Sequence, residues 1–287
     1  YRRRARIFFD ALRARRFSSF LGFIKKQMRG GIVMEKNVTK EEILEFTRAK
    51  GADVCGIADL TAAADFVRAT YGDSFAEYPR AVSFALFFPK EVVNEQLNGP
   101  TRNYETIYLM LNREIERIST AVAIKLQRAG WRAYPLDATD YRPAAHPAKL
   151  HYAVAAADEA GEKLPKLGFE IIDVFSHRLA AAHAGIGWIG KSCCLVNPEV
   201  GPRLRLGTVL TDAPFEPDAP IENRCGSCRS CIDACPAHAL HGRAFDERDP
   251  LSARIDVQKC YDFFDKVEAV YGIGICGLCL GSCPFGK

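Results

Sequence analysis

Cys225-Gly-Ser-Cys228-Arg-Ser-Cys231-Ile-Asp-Ala-Cys235-Pro236 is the stretch on which the fold turns. Its C-x2-C-x2-C spacing wraps three thiolates around one face of a four-iron, four-sulfur cube. The Cys-Pro that closes the run sends a fourth thiolate to a different cluster. A second run should therefore exist, and Cys276-Gly-Leu-Cys279-Leu-Gly-Ser-Cys283-Pro284 repeats the later part of the first. Its leading Cys is missing, because Ile273 stands where the repeat would place one. Cys260, sixteen residues before Cys276, is the substitute. Eight ligands follow for two 4Fe-4S clusters: Cys225, Cys228, Cys231 and Cys283 on one, Cys235, Cys260, Cys276 and Cys279 on the other. Zinc sites also use C-x2-C pairs, but they close with four ligands and rarely crowd three Cys and a Cys-Pro into twelve residues. A disulfide framework suits a short secreted chain, whereas this one has 287 residues.

Working outward from this module, Pro214, Pro217 and Pro220 make a stiff link to what precedes it. The length allows two domains, and with 48% apolar residues the chain can bury a sizeable core. The expected division is a basic extension over 1–33, an α+β cofactor and substrate domain over 34–215, and a double-cluster ferredoxin-like domain over 216–287. No run of eighteen apolar residues occurs, so no membrane-spanning helix is expected. Thiols held as cluster ligands imply a reducing compartment, hence the cytoplasm.

Residues 1–33 hold ten Lys/Arg against one acid, Asp10, a net of +9, which leaves −5 for residues 34–287 of the +4 total. Their aromatic and aliphatic side chains could line one face of a basic amphipathic helix suited to an anionic membrane surface or RNA. The alternative is that Met34 is the true start and the basic stretch is not native.

Beyond Met34, Thr39 and Glu42 predict a capping box before a short helix that stops at Gly51. Asp53–Ala58 reads as a strand with Cys55 as a small core residue. Arg80–Phe88, almost wholly apolar and ended by Pro89, reads as a central strand. A long helix is expected over about Glu105–Ala129, with Ile107, Leu111, Ile115, Ile118, Val122 and Leu126 on one face. A strand follows over Trp131–Leu136, then irregular structure over 138–168 carrying His146 and His151. A helix from about Val174 leads into Ala184-Gly-Ile-Gly-Trp-Ile-Gly-Lys191, where three glycines in six residues permit tight turns or close backbone approach to a ligand. Residues 203–212 alternate as a strand does. Cys193 and Cys194, being adjacent, cannot easily chelate one metal and read as core packing, with a redox pair as the alternative.

This order resembles the epoxyqueuosine reductase family, relatives of the corrinoid-dependent reductive dehalogenases. The stretch 184–191 is similar to that family's AGLGWIGK. Glu199-Val-Gly201 and Leu206-Gly-Thr-Val-Leu-Thr-Asp212 are similar to its following turn and strand. An isolated Cys on a helix, Asp256-Val-Gln-Lys-Cys260-Tyr, precedes the shortened second run as it does there. Weaker echoes are Gly51-Ala-Asp-Val-Cys-Gly-Ile57 and Arg102-Asn-Tyr104. The resemblance implies a nitroreductase-like domain that binds cobalamin and receives single electrons from the ferredoxin-like module. Gly185, Gly187, Trp188, Gly190 and Lys191 would lie along the corrin. It also implies reduction of a modified tRNA nucleoside in queuosine biosynthesis, with an external low-potential electron donor. The family's catalytic Asp falls fourteen residues before the first glycine, which is Ile171 here. Asp173 is the nearest candidate acid, with Tyr104 next. Two alternatives stay open: an electron-transfer protein serving a partner such as a corrinoid protein, and a flavin in place of the corrin.

Overall fold

The computed structural model describes residues 38–138 and 175–287. The basic stretch 1–33, Met34, His146, His151 and Asp173 lie outside the described residues. Among the described residues, six strands occur: β1 (Val54–Asp59), β2 (Arg80–Phe87), β3 (Ala133–Pro135), β4 (Trp188–Ile189), β5 (Leu195–Val196) and β6 (Leu204–Thr211). Four of them make one antiparallel sheet in the order β1-β2-β6-β3, and β4 and β5 pair as a separate hairpin. The apolar strand β2 is therefore central, as its composition predicts. A strand covered on both faces has no solvent side to mark with polar residues.

Alternation along β2 and β6 divides their side chains between two cores. Val82, Phe84, Leu86 and Val209 face Ile115, Ile118, Val122 and Leu126 of the helix Arg102–Arg128, with Ile43 and Leu44 of the helix Lys40–Ala49 beside them. Ala81, Ala85, Leu206 and Leu210 face Leu179, Ala180 and Ala181 of the helix His177–His183. The small side chains on this second face let the short helix lie close, and a Cβ on Gly56 of β1 would run into the Ala184 carbonyl at its end. On the first face the ring of Phe84 lies over Gly207, its cross-strand partner. Burying that ring completely contributes about 1.5–3 kcal/mol.

The ends of these elements follow from the sequence. Thr39 and Glu42 form the predicted capping box, and Thr101 caps the long helix by accepting from the Tyr104 N–H at 3.3 Å. Cys55 is buried and its thiol donates to the Leu44 carbonyl, which accords with a core role. The link after β6 is tied down by Asp218, which accepts from the Ile57 N–H at 2.8 Å and from Lys40 Nζ at 2.7 Å. Residues 38–287 form one compact unit. No helix among the described residues is long and apolar enough to cross a membrane.

Candidate metal centres

Cys225, Cys228, Cys231 and Cys283 line one cavity, together with Lys191 and Phe285. The Cys228 N–H donates to the Cys225 carbonyl at 2.9 Å, folding the run on itself before the short helix Ser230–Asp233 that carries Cys231. Asn223 sets where the run begins. Its Nδ2 donates to the Ile189 carbonyl at 3.1 Å, and its Oδ1 accepts from the Cys225 N–H at 2.9 Å. Cys283 arrives from the far end of the module because the chain after it returns to the β4–β6 region. There the Arg203 guanidinium donates to the carbonyls of Gly286 and Phe88, and Phe285 packs edge-on to Trp188 with ring centroids 5.0 Å apart. Lys191 Nζ donates to the Gly226 carbonyl at 2.6 Å and the Cys228 carbonyl at 3.2 Å. A cation at that point favours the negative charge of a thiolate-ligated centre.

Of the second expected set, Cys235 is buried with Cys260 and Cys279 packed against its cluster, and Cys276 is also buried. Cys260 stands on the helix Val257–Tyr271, whose N-cap Asp256 accepts from the Lys259 N–H at 3.1 Å. Cys279 stands on the helix Leu278–Gly281. Burial, then the thiols of Cys235 and Cys276, push Cys260 up to about 11. Burial, then the thiols of Cys225 and Cys283, push Cys231 up to about 11. The strongest thiol neighbours of each thus belong to its expected set. Such thiols keep their protons until iron takes the protons' place, so the donor chemistry fits iron–sulfur centres. Among the described residues, no three His, Cys, Asp or Glu side chains converge closely enough to hold a single metal ion.

The glycine run lies against this module. A Cβ on Gly185 would meet the Ala219 carbonyl oxygen, one on Gly187 the Val196 carbonyl, and one on Gly190 the Val196 side chain and Cys225 Sγ at 3.3 Å. The close approach that the glycines announce is thus made by the chain's own backbone and by a cluster thiol. Trp188 is buried in β4, with the Arg224 guanidinium 5.8 Å from its ring centroid. These residues, with Lys191, form a seat for the cluster loop.

Tyr104 is buried, its ring stacked on Phe88 at 5.0 Å and beside Gly277 of the second Cys run. Burial holds its phenol far above the ordinary tyrosine range. The sequence reading passed over His177, which bridges β6 and the end of β3. Its Nε2–H donates to the Asp137 carbonyl at 2.7 Å, and its Nδ1 accepts from the Thr208 hydroxyl at 2.9 Å. Burial, reinforced by the nearby Arg205 and Arg178, pushes its pKa down to about 4. Cys193 is buried, and the Cys194 N–H donates to Ser192 Oγ at 3.3 Å. No signal in the local sequence marks His177, since its contacts join segments distant along the chain.

The class these features define is a mixed helix and strand protein with an iron–sulfur module, and residues 224–286 match the model of the 4Fe-4S double cluster binding domain. The particular likeness is to epoxyqueuosine reductase. The enzyme of that name from Bacillus anthracis is 38% identical over 133 residues, covering 44% of this chain and 34% of the relative. That from Leadbetterella byssophila is 29% identical over 166 residues, covering 53% and 54%. The resemblance read from the motifs therefore stands, although the chain spans only 34% of the length of the first of these relatives. Among solved structures, a reductive dehalogenase described with a mechanism for B12-dependent dehalogenation matches with TM-score 0.59 at 19% identity, over 86% of this chain and 31% of that one. An epoxyqueuosine reductase solved with an epoxyqueuosine-modified tRNA-Tyr stem loop matches with TM-score 0.50 at 22% identity, over 86% and 65%.

Proposed function

We propose that this chain holds two 4Fe-4S clusters and acts as an iron–sulfur oxidoreductase of the epoxyqueuosine reductase type, on a nitroreductase-like domain. The observation that carries the reading is the cavity lined by Cys225, Cys228, Cys231 and Cys283, drawn from both ends of the module and seated on Lys191 and the glycine run. In this reading the module takes single electrons from an external low-potential donor. Gly190 lies against Cys225 and Tyr104 against Gly277, so the thiols that would hold the clusters adjoin the α+β domain, and the clusters would supply single electrons to it there. Of the two acids proposed, Asp173 and Tyr104, Tyr104 stands beside the second thiol group and holds its proton at physiological pH. The proposed substrate is a modified nucleoside in tRNA, by likeness to the relative solved with a tRNA stem loop.

Cobalamin belongs to this reading through kinship with the B12-dependent dehalogenase fold and not through the described residues. Ile171 at the family's acid position and the protein-filled faces of Gly185, Gly187 and Gly190 favour a second reading, in which the chain hands low-potential electrons to a partner such as a corrinoid protein. Anaerobic metal and flavin analysis separates the two. About eight irons per chain are expected from two four-iron centres. Cobalt retained after incubation with cobalamin supports the enzyme, and bound flavin supports a flavin reductase in its place. Eight irons with neither cobalt nor flavin supports the carrier, and a chain without iron overturns all three.

A further inference from the structure

Among the described residues that line the cavity of Cys225, Cys228, Cys231 and Cys283, Lys191 is the one cation. Its place is fixed from two sides. Behind it, the Gly190 N–H donates to the Cys194 carbonyl and the Cys193 N–H to the Gly190 carbonyl, both at 2.9 Å. Cys193 takes a left-handed backbone in this turn, φ 61°, and Arg178 Nη1 donates to its carbonyl at 2.6 Å. In front, Lys191 Nζ donates to the carbonyls of Gly226 and Cys228, inside the first Cys run. Both partners are carbonyls, which leave its full charge in place. The other charges of this stretch, Glu222, Arg224, Arg229 and Asp233, are exposed, and Arg229 pairs with Asp233 at 3.4 Å. Water and salt screen those charges more than they screen a half-buried ammonium on the cavity wall.

We propose that Lys191 tunes the first cluster, its positive charge on the cavity wall raising the reduction potential above what the four thiolates alone would set. The proposal rests on the reading that these four thiols hold a 4Fe-4S centre. A cube with four thiolate ligands is negatively charged, and one electron from the external donor makes it more so. A fixed cation therefore stabilises the reduced form more than the oxidised one. Charge, hydrogen bonding and solvent exposure are the levers by which a protein sets such potentials. Lys191 neither gains nor loses a proton in the step. The glycine run thus divides two tasks between neighbours. Gly190, lacking a Cβ, leaves room for Cys225 Sγ, and Lys191 supplies the charge that the reduced centre needs.

Potentiometric titration of the anaerobic full chain, followed by electron paramagnetic resonance, tests this, with Cys260→Ala identifying the signal of the first cluster. Lys191→Gln keeps a donor for the two carbonyls and removes the charge. It should retain about eight irons per chain and move the first midpoint to more negative values, with a smaller change in the second. Lys191→Arg keeps the charge and should hold the first midpoint close to that of the unaltered chain. An unchanged first midpoint in Lys191→Gln would overturn the proposal. So would equal shifts in both variants, which would assign the effect to the shape of the loop. Loss of about four irons in both variants would also overturn it, making Lys191 a clamp on the Cys run and no more. If the unaltered chain held no four-iron centre, the cluster assignment beneath the proposal would fail first, and the iron count alone would show it.

Discussion

His177 shows what a single side chain does when its two ring nitrogens meet different partners. A carbonyl can only accept, so the Asp137 oxygen fixes the proton on Nε2 and leaves Nδ1 to accept from Thr208. Burial opposes a second proton, and the nearby Arg205 and Arg178 oppose it further. Its pKa falls from the ordinary 6.5 to about 4. Between those values the unfolded chain binds a proton that the folded chain refuses. Stability from this residue is therefore fully present above pH 6.5 and is lost as the pH falls toward 4. Anaerobic urea unfolding between pH 7 and pH 5 should show stability declining with acid, and His177→Gln should flatten that decline. An equally steep limb in the variant would assign it to other groups.

At the scale of elements, β2 and β6 carry the sheet, and their contact is tightest where Phe84 crosses Gly207. A Cβ at position 207 would sit within 3 Å of three ring carbons of Phe84, two of them at 2.6 and 2.7 Å. The ring is fully buried beneath the long helix and has nowhere to move. Gly207→Ala should therefore cost about 1–3 kcal/mol, the usual range for overpacking a filled core. Adding Phe84→Leu should return part of that loss, since the shorter side chain vacates the same space. Equal and additive penalties in a double-mutant cycle would show that the two residues do not couple. The strand identities were readable from apolar runs and alternation. The contact between Phe84 and Gly207 was not, because pairing register joins positions more than a hundred residues apart.

The molecule as a whole interleaves the thiols of its two Cys runs. If each run bound its own cluster, Cys260 and Cys283 would serve the same centre. The structure instead brings Cys283 to the cavity of Cys225, Cys228 and Cys231, while Cys260 neighbours Cys235 and Cys276. Cys260→Ala and Cys283→Ala should each leave about four irons per chain, and the double variant close to none. A double variant that still held four irons would restore the contiguous assignment. The resonance signatures of the two single variants should also differ, each lacking the centre that the other retains. Crossing the ligands ties the C-terminal residues to Cys225 through the packing of Phe285 and Trp188. Loss of one cage should therefore loosen both ends of the module.

What the sequence determined by itself is what short spacing and local periodicity can encode. The Cys runs declared an iron–sulfur module, because Cys spacings of three residues can set thiolates around one face of a cluster. Thr39 and Glu42 declared their helix start, since a cap and its N–H partners lie within one turn. The glycine run declared only that something comes close. That the partners of Gly185, Gly187 and Gly190 are Ala219, Val196 and Cys225 was decided by the tertiary fold. So were the place of Lys191 on the carbonyls of Gly226 and Cys228 and the enclosure of His177. Each joins segments whose sequence separation carries no information about distance, and only packing of the sheet, its helices and the cluster module brings them together.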